Sequence, residues 1–409
     1  MLSNNKDKII NDPIYGFITI DEGIIKDLID HKYFQRLRKI SQLGLSHLVY
    51  PGAHHSRFHH AIGCLHLMNK AISQLRKKGH IITDKEAEGL KIAILLHDIG
   101  HGPFSHALEN TIIKELSHEE MSLIYMQDLN IQFNGKLSIA IQIFKDSYSK
   151  KFLHQLVSSQ LDMDRLDYLK RDSFFSGVTE GNIGTERIIN MLDVRDGKLV
   201  VEEKGIYSIE KFLFSRRLMY WQVYLHKTVV SAEQMLVKII ERVKFLLKSK
   251  NKIFVTASLE IFLKQDFNKK DFRNNSELIH LFSEIDDYDI YTCLKYWKKN
   301  EDFVLSELSK MMLNRNILKT KISKKDFSKN DKEKLIDNFC KLKKCSTKEA
   351  EYFIFSNKIS NSTYNIQQSN INILMKDEKI LDITLASDQF DIKVLNKTVN
   401  KYFLCYPTV

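Results

Sequence analysis

The feature that most constrains this fold is an apolar segment near residue 90 that ends abruptly in polar residues and glycines. In DKEAEGLKIAILLHDI, which starts at Asp84, apolar residues recur at helical spacing up to His97. Asp84 is expected to cap this helix, and Gly100 and Gly102 are expected to end it. The sequence therefore predicts a core helix that delivers a histidine and an aspartate, His97 and Asp98, at its C-terminal end.

The overall composition narrows the class of protein. Only 4 prolines occur in 409 residues, so long helices with lean loops are expected. Hydrophobic residues make up 43% and charged residues 28%, which is typical of a soluble globular chain and excludes collagen-like, disordered and disulfide-framework proteins. The first residues lack an apolar signal region and no stretch of about 18 apolar residues occurs, which favours a cytoplasmic protein without a membrane partner. Five cysteines without metal-ligand spacing are expected to be free thiols in a reducing compartment.

The chain length predicts two or three structural units at roughly 100–200 residues each. We predict a mainly α fold, with a helical core over residues 1–240 and a C-terminal helical region over residues 241–409 that ends in a small β appendage. Within the core we expect an extended stretch at Tyr15–Ile20, a hairpin around Asp196-Gly197, and one long helix from about Ser208 to Lys248.

The positive charge is unevenly distributed. The net charge is +11, and residues 241–350 hold 25 lysines and arginines against 17 acidic residues. A basic surplus of this kind is found in proteins that bind nucleic acid or polyphosphate. Lysine-rich helical faces are also commonly just solvated, so the charge alone leaves both interpretations open.

Histidine marks the candidate site, because 12 of the 15 histidines lie between His31 and His118. Histidines stand close to carboxylates or arginines in SRFHH (56–60), HDIGHGPFSH (97–106) and HE (118–119), and DMDRLDY (162–168) adds further carboxylates. Mixed histidine and carboxylate ligands suit a divalent metal such as Mg²⁺, Mn²⁺ or Fe²⁺. The partial negative charge at a helix C-terminus also favours a cation beside His97 and Asp98. A single histidine is more often a core residue, but the joint pattern predicts a metal site.

These residues resemble the HD-domain phosphohydrolases, and specifically the branch that contains the deoxynucleoside triphosphate (dNTP) triphosphohydrolases. The resemblance runs from about Lys8 to Glu233, with no SAM domain before it. It rests on NDPIYGFI, FQRLRKISQLG, YPGAHHSRFHH, LLHDIGHGPFSH, SSQLDMDRLDYLKRD and YLHKTV. It implies an HD-domain helical core with small β hairpin elements. It also implies four metal ligands: His60, His97, Asp98 and Asp164.

The resemblance implies further roles at the same site. Four residues match catalytic positions around the α-phosphate and the leaving group: His101, His106, His118 and Glu109, the last of which orients His118. Three permanent cations suit phosphate oxygens whatever the family: Arg57, Arg165 and Arg216. The animal members have lysine at position 165, so the phosphate contact there differs in geometry.

Five residues match positions around the deoxyribose: Gln42, Leu43, Tyr168, Asp172 and Tyr224. Tyr168 and Asp172 follow Asp164 by four and eight residues, so the three share one helical face. An aromatic ring close to C2′ would reject a ribose hydroxyl by steric clash. Core packing is the alternative role for Leu43, Tyr168 and Tyr224.

A regulatory site is the next implication of the resemblance. Four residues match in type the positions that bind a guanine nucleotide activator in the animal members: Lys8, Asp30, Gln35 and Arg38. The alternative is that FQRLRKI is a plain amphipathic helix, with Phe34, Leu37 and Ile40 in the core and Arg36 and Lys39 in water. Because the activator position of the animal members lies between subunits, a homo-oligomer is also expected.

The leading functional hypothesis is metal-dependent hydrolysis of a dNTP to deoxynucleoside and inorganic triphosphate, through water attack on the α-phosphorus. Two alternatives stay open. The same metal site could act on another nucleotide or on nucleic acid, or the chain could be a nucleotide-sensing regulator without catalysis.

Overall fold

The computed structural model describes residues 7–273, 275–361, 364, 370–388 and 398–408. The fold is predominantly α-helical with three small β-sheets, which confirms the predicted fold class. Buried hydrophobic side chains form one continuous cluster that reaches from Ile18 to Cys405. All five cysteines are free thiols, as predicted. Among the described residues, no helix is both long and apolar enough to cross a membrane.

The helices of the described residues follow one another closely along the chain. They are α1 (Ile24–Asp30), α2 (Lys32–Gln35), α3 (Arg57–Lys77), α4 (Asp84–Leu96), α5 (Ser105–Ile112), α6 (His118–Gln132), α7 (Ser138–Phe144), α8 (Lys151–Val157), α9 (Met163–Ser176) and α10 (Thr185–Asn190). They continue as α11 (Ile206–Met219), α12 (Lys227–Lys248), α13 (Ala257–Lys264), α14 (Lys269–Phe272), α15 (Ser276–Ser283), α16 (Asp287–Trp297), α17 (Phe303–Leu313), α18 (Lys329–Lys343), α19 (Thr347–Ala350) and α20 (Ile383–Ala386).

The strands form three separate sheets. They are β1 (Lys8–Asp12), β2 (Gly16–Ile20), β3 (Leu192–Arg195), β4 (Lys198–Glu202), β5 (Lys319–Ser323), β6 (Phe355–Asn361), β7 (Asn372–Leu374), β8 (Ile380–Asp382) and β9 (Val399–Tyr406). β1 and β2 form an antiparallel hairpin, and the other sheets have the orders β3-β4-β7-β8 and β5-β9-β6. Among these described strands, the β4–β7 pair is parallel and the other pairs are antiparallel.

Two local predictions are confirmed. The extended stretch predicted at residues 15–20 is β2, which pairs with β1. The predicted hairpin is β3–β4, and its two turn residues have φ values of 53° (Asp196) and 71° (Gly197). Positive φ at both turn positions matches the twist of the flanking strands. The Asp-Gly pair therefore sets this turn.

The predicted β appendage is present but divided between two sheets. Val200 of β4 pairs with Asn372 of β7, so β7 and β8 extend the hairpin sheet of the predicted core. β9 instead lies between β5 and β6. Residues 365–369 and 389–397 of the segment lie outside the described residues. The boundary near residue 240 stays a prediction.

The centre of the predicted core is built on α3, which packs against α4 and α9. Gly63 allows α3 and α9 to approach closely. A Cβ atom at this position would lie 2.0 Å from Asp167 Oδ1 and 2.3 Å from Arg171 Nη2, both on α9. The missing side chain of Gly63 therefore leaves room for a buried charged pair.

We expect Gly63→Ala to destabilise the fold by about 1–3 kcal/mol or more, because overpacking a filled core forces its neighbours to move. Urea unfolding measures this loss. Gly184→Ala is the matched control, since its added methyl would meet nothing closer than 3.9 Å. Equal stability of the two variants would contradict the packing argument.

Two helix predictions are wrong in detail. The N-cap of α4 is Thr83 and not Asp84. The Thr83 side chain accepts the Glu86 backbone N–H, and the Glu86 carboxylate accepts the Thr83 backbone N–H. The single helix predicted over residues 208–248 is interrupted by a π-helical turn at Tyr220–Tyr224 and by His226, which has extended backbone and caps α12. Apolar periodicity runs through this break, so the sequence pattern alone does not reveal it.

Candidate active site

Three helices bring the four predicted metal ligands together. His60 lies on α3, His97 and Asp98 directly follow α4, and Asp164 lies in the first turn of α9. His60 Nε2 is 3.1 Å from Asp164 Oδ1 and 3.8 Å from Asp98 Oδ2. His97 Nε2 is 3.4 Å from Asp98 Oδ1 and 3.6 Å from Asp164 Oδ1. His60, His97 and Asp164 therefore offer ligand atoms within 4.8 Å of one another, and Asp98 lies beside both histidines.

Both imidazoles are fixed so that Nε2 faces the carboxylates. The Nδ1–H of His97 donates to the Ile94 carbonyl at 2.7 Å, and that of His60 donates to Asp167 at 2.8 Å. Partners of this kind orient metal-ligating histidines. His97 Nε2 is buried and has no hydrogen-bond partner among the described residues. Because an unpaired buried nitrogen is costly, this donor set fits a divalent metal.

A buried chain of charged side chains supports His60 at its Nδ1 side, away from Asp98 and Asp164. Arg171 binds both oxygens of Asp167 at 2.8 and 3.0 Å and donates to Asp12 at 2.8 Å. Asp167, Arg171 and Asp12 are at most 2% exposed. The sequence assigned none of them a role, although Arg171 follows Asp167 by four residues, the spacing of a helical ion pair.

We expect Asp167→Asn to weaken metal binding by roughly 10- to 100-fold, because loss of a partner that orients a ligand has this effect in other metal sites. Titration with Mn²⁺ followed by metal analysis measures the change. Glu186→Gln, at an exposed ion pair with Lys70, is the control. An unchanged dissociation constant in Asp167→Asn would mean that His60 needs no such support.

The charges at the cluster are strongly coupled. Burial alone would raise the pKa of Asp164, but the hydrogen bond with His60 and the adjacent imidazole of His97 hold it well below its usual range. Burial likewise opposes ionisation of Asp98, and His97, His101 and Arg57 outweigh it and lower its pKa. Both carboxylates are therefore anionic, as cation ligands must be.

Cys64 also lies at this cluster. Its Sγ is 3.5 Å from His60 Nδ1 and 3.6 Å from His60 Nε2. The sulfur is within 4.8 Å of ligand atoms of His60, His97 and Asp164. The structure therefore adds a thiol to the set of candidate ligands, which the sequence analysis did not expect.

The predicted catalytic histidines form a second cluster beside the first. The rings of His101 and His118 stack with centroids 3.9 Å apart, and His106 lies 5.2 and 5.7 Å from them. Glu109 accepts hydrogen bonds from His118 Nδ1 at 2.8 Å and from the His118 backbone N–H at 2.6 Å. His101 Nε2 is 3.4 Å from Asp98 Oδ1, which connects the two clusters.

Gly100 makes this arrangement sterically allowed. A Cβ on Gly100 would lie 2.3 Å from both the His118 carbonyl oxygen and the Ser122 N–H nitrogen. Ser122 Oγ donates to the His97 carbonyl at 2.7 Å and accepts the Gly100 N–H at 2.9 Å. The start of α6, and with it His118, is therefore held against the end of α4.

The stacked histidines differ in their proton affinity. Burial lowers the pKa of His101 well below its usual range, and the Arg57 cation lowers it further. Burial also opposes protonation of His118, but the hydrogen bond to Glu109 and the charge of Asp98 reverse this and raise its pKa. His101 is therefore neutral, and His118 holds a proton more tightly than an ordinary histidine.

The three predicted phosphate-binding arginines are each held by one partner. Arg57 donates to Asp98 at 2.5 Å, Arg216 donates to Gln160 at 3.1 Å, and Arg165 pairs with Asp162. The Nε–H of each is buried and has no hydrogen-bond partner within the described part of the chain. The three guanidinium groups therefore retain donors for an anionic ligand.

A hydrogen-bonded group occupies the predicted sugar side. Tyr224 donates to Asp172 Oδ2 at 2.6 Å, and His55 Nε2 is 2.7 Å from Asp172 Oδ1. His55 had no role assigned from the sequence, although it precedes Arg57 by only two residues, and its ring stacks on Phe175 at 4.4 Å. The π-helical turn at 220–224 thus brings Tyr224 to α9.

The remaining predicted sugar residues fall into two groups. The Tyr168 ring centroid is 6.5 Å from that of His60 and 6.1 Å from that of Tyr224, so Tyr168 lies between the metal cluster and the sugar side. Leu43 is buried in the core cluster. Gln42 Oε1 is buried without a partner. Gln42 therefore has an acceptor available to a ligand.

The four predicted activator residues lie near one another at the surface. Lys8 pairs with Asp30, and Arg38 donates to Gln35 at 2.8 Å. The alternative prediction of a plain amphipathic helix is confirmed for the buried Phe34, Leu37 and Ile40 and for the exposed Lys39. It is wrong for Arg36, which is buried, and for the helix itself, since α2 continues as a 3-10 turn. Arg36 lies inside because its guanidinium satisfies two carbonyl groups of the interior.

Comparisons with known proteins agree with this geometry. The HD domain model matches residues 57–171, and the HD associated region model matches residues 183–257. The chain is 30% identical to an uncharacterized protein of Bacillus subtilis over 96% of this chain and 88% of that protein. It is 52% identical to a phosphohydrolase of Bacteroides thetaiotaomicron, whose crystal structure superposes with a TM-score of 0.95 over 98% of this chain and all of that one.

The chain belongs to the HD-domain phosphohydrolases. Membership implies a metal-dependent hydrolase, and the matched HD domain contains all four predicted metal ligands. A deoxynucleoside triphosphate triphosphohydrolase SAMHD1 homolog of Dictyostelium discoideum is also similar, at 34% identity over 57% of this chain. That match spans only about half of the relative's length, 49%.

Proposed function

We propose that this HD phosphohydrolase cleaves deoxynucleoside triphosphates into deoxynucleoside and inorganic triphosphate. One observation carries the proposal: the metal-binding cluster is bordered by the stacked histidines, by three arginines with free Nε–H groups and by the Asp172–Tyr224 pair. Acid, cations and sugar-binding groups together suit a nucleotide cleaved at its α-phosphorus. The similarity to a SAMHD1 homolog supports the same substrate class.

His60, His97, Asp98 and Asp164 would hold the metal. A bound divalent ion supplies Lewis-acid polarisation of the phosphoryl group and lowers the pKa of water. The protein orients these ligands through Asp167 and the Ile94 carbonyl. Most of the rate enhancement would come from such positioning and from fixed charges, as is typical of phosphoryl transfer.

His118 would be the general acid. The incoming water displaces the 5′ oxygen of the deoxynucleoside, which needs a proton as it leaves. Glu109 holds Nδ1 of His118, so Nε2 is the atom that delivers this proton. General acid catalysis of this kind contributes roughly 10²- to 10⁴-fold to the rate. The neutral His101 stacks on His118 and keeps its ring in place.

The arginines and tyrosines would bind the two ends of the substrate. Arg57, Arg165 and Arg216 neutralise the triphosphate through their free N–H groups. Tyr168 and Tyr224 enclose the sugar, where a 2′ hydroxyl would meet an aromatic ring. This arrangement favours deoxynucleotides over ribonucleotides.

The nucleotide activator and the homo-oligomer belong to the same proposal. Lys8, Asp30, Gln35 and Arg38 offer two cations, a carboxylate and an amide within one surface region. These groups suit the edge of a guanine base and its phosphates. Activity that requires a mixture of dNTPs would support this regulatory site.

Action on nucleic acid is the second candidate. Its specific support is a run of exposed lysines on β5 and the loop after it: Lys319, Lys321, Lys324 and Lys325. Phosphate contacts of this kind make binding fall steeply as salt rises. A steep salt dependence of DNA binding together with nuclease products would favour this function.

Ion-pair chromatography of the products tests the proposal. The purified protein is incubated with Mg²⁺, Mn²⁺ or Fe²⁺ and with each dNTP singly, then with all four mixed. We expect deoxynucleoside and intact triphosphate in equal amounts. Release of orthophosphate, or of pyrophosphate with deoxynucleoside monophosphate, would show that a bond other than the one between the α-phosphorus and the 5′ oxygen is cleaved, and would overturn the proposal.

A further inference from the structure

The loops that carry the catalytic residues are tied to a part of the chain outside both family models. The connection between α15 and α16 spans residues 284–286, and Asp287 is the first residue of α16. The family models end at residues 171 and 257. Nothing in the HD motifs therefore accounts for the contacts that Asp287 makes.

Asp287 binds the backbone of two separate loops. Its Oδ1 accepts the Phe104 N–H at 2.9 Å, and its Oδ2 accepts the Ser41 N–H at 2.8 Å. The residue is 4% exposed. Among the described residues it makes no ion pair, whereas its neighbour Asp286 pairs with Lys39. A buried carboxylate without a cation is costly, so two backbone donors converging on it indicate a specific role.

The first of these loops positions the histidine cluster. Phe104 has φ 47° and ψ 40°, a left-handed conformation that a bulky residue rarely adopts. It is the residue before α5, which carries His106 and Glu109. The hydrogen bond from its N–H to Asp287 holds this conformation, and with it the start of α5.

The second loop leads to the phosphate and sugar residues. Ser41 immediately precedes Gln42 and forms an isolated β-bridge with Ser56. Arg57, the residue after Ser56, donates its backbone N–H to the Ile40 carbonyl at 2.9 Å. A shift of Ser41 would therefore move both Gln42 and Arg57.

Arg36 makes a second connection between the α15–α16 segment and the active-site loops, next to the metal ligand Asp98. Its Nη2 donates to the Ile99 carbonyl at 2.9 Å, directly after Asp98, and its Nη1 donates to the Ile285 carbonyl at 3.2 Å. The ring of Phe282, at the end of α15, fills the space over Gly102, where a Cβ would lie 3.2 Å from it. Three side chains thus join the α15–α16 segment to the active-site loops.

We propose that Asp287 is a positioning residue of this hydrolase, which fixes the loops at residues 41–43 and 101–106 relative to each other. The test of this inference by enzyme kinetics rests on the proposed function, whereas its test by hydrogen exchange does not. The inference gives the α15–α16 segment of the C-terminal region a definite part in catalysis.

Asp287→Asn is the informative variant, since its amide accepts only one of the two N–H groups and directs an N–H against the other. Asp286→Asn is the matched control: Asp286 caps α16 through the Tyr288 N–H and pairs with the exposed Lys39, but it accepts no backbone N–H from either loop. Asparagine caps a helix as well as aspartate does. Both variants are checked by thermal unfolding and by metal content.

Two readouts separate positioning from simple stability. Hydrogen exchange should accelerate at least about tenfold in peptides covering residues 40–57 and 98–108 of Asp287→Asn, with no change in Asp286→Asn. At saturating dNTP, kcat should fall by roughly 10- to 100-fold at unchanged metal content, because a displacement near 1 Å has this effect. A stability effect alone would lower the melting temperature and leave kcat per folded, metal-loaded protein unchanged.

The outcomes are distinguishable. Unchanged exchange or an unchanged kcat in Asp287→Asn would overturn the inference. A wild-type protein that cleaves no dNTP would instead refute the proposed function, and the exchange experiment would still decide whether Asp287 holds the two loops. If Asp287→Asn fails to fold, Asp287→Glu tests the same bonds, since it keeps the charge but shifts both oxygens.

Discussion

Asp164→Ala is expected to abolish triphosphate release while leaving the fold intact. Asp164 contacts both His60 and His97, and it supplies the carboxylate that a divalent cation would require. Metal ions stabilise transition-state charge by several kcal/mol, so a loss on the order of 10³-fold or more is expected. Product chromatography measures the rate, and metal analysis measures the ion bound per chain.

The same variant separates an enzyme from a regulator. Asp84→Ala is the control, because the Asp84 side chain is 99% exposed and pairs only with Arg76. A nucleotide sensor would show no turnover in the wild type and would keep its nucleotide-induced thermal shift in Asp164→Ala. A variant that releases triphosphate at the wild-type rate would remove Asp164 from the active site.

Glu109→Gln is expected to move the basic limb of the pH–rate profile to lower pH. The general acid must be protonated, and Glu109 raises the pKa of His118 by accepting its Nδ1–H. In the wild type, activity therefore persists above the ordinary histidine pKa, near 6.5, and falls as the pH rises through the raised value. Loss of the carboxylate lowers this pKa, so the fall begins at lower pH.

Two further variants sharpen the pH experiment. His118→Ala should lower kcat by roughly 10²- to 10⁴-fold and remove the basic limb, as expected for loss of a general acid. Glu119→Gln is the matched control, since its carboxylate lies 3.4 Å from His118 Nε2 but is 62% exposed and screened by water. If the basic limb of the pH–rate profile shifted equally in Glu119→Gln and Glu109→Gln, the cause would be the loss of a negative charge near His118 and not the loss of the Nδ1 hydrogen bond.

Much of the site was predictable from the sequence. His97 and Asp98 follow an apolar helix at a fixed position, so their placement at the edge of the core depends on periodicity alone. The Asp-Gly turn of β3–β4 and the shared helical face of Asp164, Tyr168 and Asp172 are equally local. The family resemblance then indicated which distant residues meet, and the structure brings all four predicted metal ligands together.

Two of the errors have one physical origin. Arg36 was predicted to face solvent because charged residues on a helix face usually lie outside. Its two carbonyl partners, at Ile99 and Ile285, are 63 and 249 residues away along the chain. The break between α11 and α12 is similar, because apolar spacing continues through it while Tyr224 is drawn toward Asp172. Both depend on partners that no local pattern contains.

The helical core, the delivery of His97 and Asp98 at the end of a helix, and the family could be predicted from the amino-acid sequence. They depend on short-range periodicity, glycine positions and contiguous motifs. The fold was needed to show that Asp167, Arg171 and Asp12 support His60, that His55 bonds to Asp172, and that Asp287 binds two active-site loops. Buried polar groups must find partners wherever the fold brings them, and the identity of those partners is a property of packing in three dimensions.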